Sequence, residues 1–355
     1  LKGRYRFGAI SVVVVTWNRR DLLRACLQSL TRQNLNQPFE VVVVDNGSQD
    51  GSPEMVLAEY GNGAKFAPKF KVELIRNPDN RGFCAANNQG FQASDSEFVA
   101  LLNNDAEAEP DWLRNLAGAF EGRPHIGMAA SKILVHEDPR RIDKAGHLIY
   151  PDGQNRGRGS GELDAGQYDR VEEILWPDGC AAMYRRALLD EVGGFDEDFF
   201  AYADDAELGL RAQIAGWKCL YVPGAVVRHH RGATLGVRSS RRLELIERNR
   251  VLLAAKLFPW SLLWWNPLYY AMRLGAGVWA AIAGEGEVGK YPGWGGKLKA
   301  ALALLKGDWE AVPLLPRMLA KRRDVQRIRK LSPRQVRQLI LQHRISLKQL
   351  MRQAV

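Results

Sequence analysis

A chain of 355 residues, 46% hydrophobic and 25% charged, has the composition of a globular protein, which argues against wholesale disorder. Its four cysteines, Cys26, Cys84, Cys180 and Cys219, form no C-x-x-C pair, which argues against a zinc site or a disulfide framework and fits a reducing compartment. The net charge of +10 belongs to the end of the chain: residues 285–355 hold sixteen Lys/Arg against five Asp/Glu, a net +11, so the preceding residues sum to −1.

The opening residues, LKGRYRFGAI, carry no apolar leader core and run directly into ISVVVV at 10–15, a β-branched run suited to a strand buried on both faces. Residues 20–33 place Leu22, Leu23, Cys26, Leu27 and Leu30 on helical spacing. EVVVVD (40–45) is the next strand, followed by a helix near 53–60, KVELIR (71–76), a helix near 83–93, and EFVALLNND (97–105). This alternation predicts an α/β fold with a parallel sheet and right-handed crossovers. Ligands bind such sheets beyond the carboxyl ends of the strands.

The residues at those ends are polar: Thr16-Trp17-Asn18-Arg19, Asp45 through Ser52 (DNGSQDGS), Asn77 through Gly82 (NPDNRG), and Asn103-Asn104-Asp105. Any one of these loops is accounted for by turn and helix-cap chemistry. Four of them at one edge point instead to a ligand site. Residues 139–167, rich in Gly, Asp and Arg, read as a long loop or irregular hairpin. Apolar patterning resumes at Trp176-Pro177-Asp178-Gly179-Cys180. A helix over 185–192, a second over 204–215, and a strand over 218–223 leading to His229 and His230 complete this part.

From residue 10 to about 234 the ordered series TWNR (16–19), VDNGSQDGS (44–52), NRGFCAANNQG (80–90), LLNNDA (101–106), GGFDEDFFAYADDAELGLR (193–211) and HHRGAT (229–234) resembles the family 2 glycosyltransferases, in particular their rhamnosyltransferase-like bacterial members. The resemblance implies a GT-A fold, in which a Rossmann-like nucleotide-binding half and an acceptor-binding half share one central mixed sheet. It implies transfer of a sugar from a nucleoside-diphosphate donor to a hydroxyl acceptor with inversion. By the same resemblance Thr16, Asn18 and Asp45 lie at the base and ribose, with Asn80 and Gly82 bordering the nucleotide. Asn87 either shapes that pocket or simply bonds loop backbone.

Asp105 corresponds to the last aspartate of the family's D-x-D motif, implying a divalent cation, Mg²⁺ or Mn²⁺, for the diphosphate. The first position of that motif is Asn103, one charged ligand fewer. His229 corresponds to a family histidine at the metal or diphosphate, with His230 as substitute and Thr234 completing the pattern. Asp204-Asp205 corresponds to the family's Glu-Asp pair, which makes Asp205 the candidate base. A plainer account of both aspartates is their placement in the first turn of a helix. Trp176, Asp178, Gly179 and Asp204 are candidates for acceptor or donor-sugar contact, Trp176 being equally suited to a core.

Residues 257–284 are apolar and aromatic but interrupted by Asn266, Pro267 and Arg273. About 20 mainly apolar residues cross a bilayer; Pro267 and Arg273 fit that poorly, and the tryptophans and tyrosines suit an interface better. KRRDVQRIRK (321–330) would complement anionic headgroups. The expected organisation is a catalytic domain over 1–235, a helical aromatic extension over 236–290, and a basic helical tail over 291–355. The expected location is cytoplasmic, peripheral on the inner face of the plasma membrane, with a glycan or lipid-linked acceptor in cell-surface polysaccharide synthesis. A helical extension packed on the catalytic domain with a solvated basic face is the alternative. Two other functions compete: a non-catalytic nucleotide-sugar-binding relative, motivated by Asn103, and a nucleic-acid-binding protein, motivated by the basic tail. No nucleic-acid-binding motif accompanies that charge, so no nucleic-acid partner is expected.

Overall fold

The computed structural model describes residues 9–61, 70–231, 239–284, 286–289 and 291–352. The first half alternates β1 (Ile10–Thr16), α1 (Arg20–Thr31), β2 (Phe39–Asp45), α2 (Ser52–Tyr60), β3 (Phe70–Arg76), α3 (Gly82–Ala93) and β4 (Phe98–Leu102). The four strands pair in parallel in the order β4-β1-β2-β3. The valine run of β2 is buried along its whole length because helices cover both faces, whereas β3, at the edge, is only partly covered.

The second half contains β5 (Ala106–Ala108), α4 (Trp112–Gly118), β6 (Ile126–Val135), β7 (Ile142–Lys144), β8 (His147–Ile149), β9 (Asn155–Gly157), β10 (Glu172–Ile174), β11 (Ala181–Arg185), α5 (Arg186–Val192), α6 (Asp204–Ile214) and β12 (Lys218–His229). It extends the sheet to the order β10-β12-β6-β11-β4-β1-β2-β3. Because β11 runs antiparallel to both β4 and β6, the sheet is mixed. The segment expected as a long loop is partly built: β7 pairs with β6, and β8 forms a hairpin with β9.

After residue 239 the chain is helical: α7 (Ser240–Leu257), α8 (Trp260–Leu263), α9 (Asn266–Ile282), α10 (Gly286–Gly289), α11 (Gly293–Ala311), α12 (Leu315–Ile328), α13 (Pro333–Gln342) and α14 (Leu347–Arg352). These helices pack on the sheet domain. Leu252, Leu253, Leu257, Met318, Val325 and Ile340 join the same hydrophobic cluster as Val13, Leu101 and Tyr184. Ile149 of β8 donates its N–H to His343 and accepts from the N–H of Ile345, tying the end of the chain to the hairpin. Among the described residues no helix is long and apolar enough to cross a membrane. The interruptions in 257–284 have local causes. Pro267 occupies the first turn of α9, where its missing N–H is harmless, and Arg273 turns inward to Asp152 and Glu247.

An ion cluster also joins the two parts. Lys256 of α7 lies 2.6 Å from Asp196 and 2.7 Å from Glu207, and Lys321 of α12 reaches Asp196 and Asp198. Burial works to raise the Asp196 carboxyl, but Lys256 and Lys321 hold it at about 2, below its ordinary 3.8. A carboxyl depressed in the folded state contributes stability that is present above its unfolded pKa and lost as pH falls through the folded one. Between about pH 4 and pH 2 the urea midpoint is therefore expected to drop by the equivalent of roughly 2 kcal/mol from this group. Asp196→Asn should be less stable at pH 7 and lack that part of the acid dependence; an acid profile identical to wild type would contradict this.

Candidate active site

At the carboxyl edge of the parallel strands the polar loops interlock. Asn18, held at φ 45°, accepts at Oδ1 from Gln49 N–H (2.8 Å), and its own N–H donates to Ser48 Oγ (2.8 Å). Thr16 Oγ1 accepts from Asn104 Nδ2 (2.9 Å), linking the loops after β1 and β4. Asn46 Nδ2 donates to Gly82 O (3.2 Å) and Asn80 Oδ1 (3.3 Å), while Asn80 Oδ1 also accepts from Gly82 N–H (2.9 Å). Asp45 stands opposite Thr16 in the β1–β2 register. One of its oxygens accepts from Ser48 N–H (3.0 Å); the other, Oδ1, is buried without a hydrogen-bond partner. A buried carboxylate oxygen lacking a donor is a ready acceptor for a ligand N–H or O–H.

The pairing of β5 with β12 sets His229 opposite Ala106, beside Asp105. Asp105 Oδ1 is buried without a hydrogen-bond partner and lies 3.4 Å from His229 Nε2. His229 Nδ1 meets Asp143 Oδ2 at 2.7 Å. Burial alone would lower the His229 pKa, but contact with Asp105 and Asp143 pushes it up to about 9. A carboxylate oxygen and an imidazole nitrogen this close are suitable donors for a divalent cation that also takes phosphate oxygens. His230 turns the other way, towards Glu107 (3.3 Å) and Glu137 (3.5 Å), and stacks on His136. Of the two histidines, His229 is therefore the one beside Asp105. Thr234 lies outside the described residues.

A second acidic group lies next to the first, because Asn103 N–H donates to Cys180 O (2.8 Å). Asp205, in the first turn of α6, accepts at Oδ2 from Gly179 N–H (3.3 Å) and lies 3.3 Å from His147 Nε2. That nitrogen also meets Asp178 Oδ2 (2.8 Å), which Lys144 Nζ contacts at 2.6 Å. Burial raises the Asp205 carboxyl above its ordinary value, with His147 and Lys144 pulling down and Asp178 pushing up. Asp204 is pushed well above it, by burial and then by Asp205. Asp178 is held well below it: burial opposes ionisation, but Lys144 and His147 more than offset it. Lys144 already neutralises Asp178, so the His147–Asp178–Asp205 group is better suited to handling a proton than to holding a cation. Strand β7 connects the two groups, with Asp143 on His229 and Lys144 on Asp178.

The segment before Asp204 is held in an unusual shape. Phe200, Tyr202 and Ala203 all have positive φ (64°, 70° and 55°), a region disfavoured for residues with a Cβ. Phe200 O accepts from the N–H groups of Phe83 (2.8 Å) and Cys84 (3.2 Å) at the start of α3. Gly82, the residue expected to border the nucleotide, has φ +86°, and the space a Cβ would fill is taken by the Phe200 ring, 2.5 Å away. The glycine seats the loop before Asp204 against the first turn of α3.

Residues 11–193 match the family model for glycosyl transferase family 2. The chain belongs to that family. It is 28% identical over 289 residues to an N-acetylglucosaminyl-diphospho-decaprenol L-rhamnosyltransferase of Mycobacterium tuberculosis (strain ATCC 25618 / H37Rv), covering 74% of this chain and 89% of that protein. It is 28% identical over 259 residues to the O-antigen biosynthesis protein RfbC of Myxococcus xanthus, covering 71% of this chain but only 19% of the relative. Among solved structures, GalNAc-T7 with UDP, GalNAc and Mn²⁺ superposes with a TM-score of 0.51 at 17% identity, over 62% of this chain and 43% of that one, a likeness of fold. The protein is a glycosyltransferase with the GT-A fold.

For two residues of this glycosyltransferase whose roles the sequence leaves open, Trp176 and Asn87, the structure gives the surroundings. Trp176 is fully buried: its ring stacks on His147 at 6.0 Å, and Gly209 of α6 leaves room for it. It packs against His147 from the core side, and no part of it reaches solvent. Asn87 donates to Phe83 O one helical turn back (2.9 Å), the backbone-bonding role. Sequence reasoning missed Asp143, Lys144 and His147, which sit together in DKAGH (143–147) inside the expected loop. Three ionisable residues within five positions were the available signal.

Proposed function

We propose that this glycosyltransferase moves a sugar with inversion from a dTDP- or UDP-linked donor, rhamnose being the favoured sugar, to a hydroxyl of a glycan or lipid-linked acceptor in cell-surface polysaccharide synthesis. The carrying observation is Asp205, a buried carboxyl of raised pKa beside His147 and Gly179, next to the strand ends that bear Asp45 and Asp105. The acceptor oxygen bonds to the anomeric carbon as its proton passes to Asp205, and the bond from that carbon to the diphosphate oxygen breaks. The reacting carbon resembles an oxocarbenium ion at the transition state, and attack opposite the leaving group needs no protein nucleophile. Asp45, with its unpartnered oxygen, Thr16 and Asn18 receive the base and ribose, with Asn80 and Gly82 at the border. Gly179 N–H and His147, which Asp178 holds in place, orient Asp205, and Asp204 is its neighbour of raised pKa. Asp105 and His229 would hold Mg²⁺ or Mn²⁺, whose chemistry is to neutralise charge developing on the leaving diphosphate. The mycobacterial relative's name supports both rhamnose and a lipid-linked acceptor. Such an acceptor suits a protein peripheral on the inner face of the plasma membrane.

The test is a screen of nucleotide sugars for turnover with Mn²⁺, Mg²⁺ or EDTA. Turnover of a dTDP- or UDP-sugar that EDTA abolishes is expected, and Asp105→Asn should lower it roughly 100-fold. Cation-independent turnover would remove the metal assignment. Binding without turnover for every donor and acceptor would favour the non-catalytic reading that Asn103 raises.

A further inference from the structure

Helices α9 and α11 are amphipathic in the reverse of the usual sense. On α11 the buried positions are Ala300, Ala303, Gly307 and Ala311, while Trp294, Leu298, Leu302, Leu305 and Trp309 are exposed. The small face packs on α7 so closely that a Cβ at Gly307 would meet Glu244 O at 2.4 Å. On α9, Leu268, Met272, Trp279 and Ile282 form a second exposed stripe at helical spacing. The two helices are bridged at both ends in reversed order: Tyr270 to Asp308, and Lys297 Nζ to Ala281 O. They are thus antiparallel neighbours, and their stripes belong to one helical hairpin. Trp264, Trp279, Trp294 and Trp309 are 82%, 67%, 76% and 77% exposed. Large apolar side chains facing solvent with small ones inside serve no packing need, and a patch of this extent marks an interaction surface.

The charge pattern identifies the partner. Among the residues between 260 and 320 whose exposure is described, a set that leaves out Glu285, Glu287 and Lys290, the exposed charged ones are Lys299, Lys306 and Arg317, and none is acidic. Asp308 and Glu310 are turned to Arg250 and Arg241. A two-fold contact between copies would set this basic surface against itself. An anionic lipid surface complements it, and tryptophan is the side chain best suited to the boundary between headgroups and acyl chains.

We propose that the α9–α11 hairpin lies flat in the headgroup region of an anionic bilayer, with its Trp/Leu stripes inserted and its lysines on the lipid phosphates. This deepens the peripheral-membrane part of the proposed function and does not depend on its catalytic part. The test uses the 355-residue chain and vesicles of phosphatidylcholine with or without half phosphatidylglycerol. Sedimentation with the anionic vesicles is expected, with binding at least about tenfold weaker to pure phosphatidylcholine. The triple variant Trp279→Ser/Trp294→Ser/Trp309→Ser should lose at least about tenfold in binding while keeping its turnover of a soluble acceptor. Quenching of wild-type tryptophan fluorescence by brominated acyl chains gives a readout that does not require the variant to fold. Failure to sediment with either vesicle, absence of quenching, or a dimer in solution that the triple substitution dissolves would overturn the proposal.

Discussion

Asp205→Asn is expected to lower kcat for glycosyl transfer by about 10²–10⁴-fold, the range for losing a general base. That corresponds to roughly 3–5 kcal/mol of transition-state stabilisation. Asparagine keeps the shape and can stay beside Gly179 N–H and His147, but it cannot take the acceptor proton. Donor affinity should be nearly unchanged, because the proposed nucleotide contacts at Thr16, Asn18 and Asp45 belong to other loops. Asp204→Asn is the informative contrast. Burial and Asp205 push the Asp204 carboxyl well up, which favours its protonated form, and the neutral amide resembles that form. Its effect should stay below about tenfold. Steady-state kinetics with calorimetric titration of the nucleoside diphosphate separates these outcomes. Turnover by Asp205→Asn within tenfold of wild type would mean that the base is another residue.

Asn249→Ala is expected to damage both stability and turnover although this residue lies on α7, outside the sheet domain. Its Nδ2 donates to three carbonyls of the loop before Asp204: Phe199 (2.9 Å), Ala201 (2.8 Å) and Tyr202 (2.7 Å). Arg248 adds bonds to Asp198 O (3.1 Å) and Phe199 O (2.9 Å). These bonds hold Phe200, Tyr202 and Ala203 at positive φ, where each residue with a Cβ costs about 1–2 kcal/mol. A buried carbonyl left without a donor costs about 1–3 kcal/mol more. Alanine should therefore destabilise the protein by roughly 3 kcal/mol and let the loop relax, displacing Asp205. The expected signature is a lower Tm and a reduced kcat with the donor KM little changed, since the nucleotide loops are untouched. Asn249→Asp, of the same shape but without a donor, should be at least as harmful. If it matched wild type, packing rather than hydrogen bonding would be what matters at this position.

The nucleotide-binding half was legible because its signals are local. Valine runs in β1 and β2 require burial on both faces, and the polar residues that follow each run fall at one sheet edge in any parallel arrangement. The cluster around Asp205 was only partly legible. Strands β7, β8 and β9 are three residues each, too short to show a period, so Asp143, Lys144 and His147 disappeared into an expected loop. Trp176 was ambiguous because an aromatic beside a polar motif fits a core or a substrate equally well. The small side of Gly209 decides it, and that residue is distant in the chain.

By itself, then, the sequence determined which strands form, which polar loops share an edge, and that Asp105, Asp205 and His229 are the residues to watch. It did so because alternation and motif order are properties of neighbouring residues. Only the tertiary structure decided that His229 rather than His230 meets Asp105, since that depends on the register of β12 against β5. Only it showed that Gly82 makes room for Phe200 and that α7 holds the loop carrying Asp205 into the site. It alone turned Arg273 inward and left Trp279 of α9 and Trp294 and Trp309 of α11 outside. These contacts join residues far apart in the chain, and long-range packing, which no local pattern encodes, brings them together.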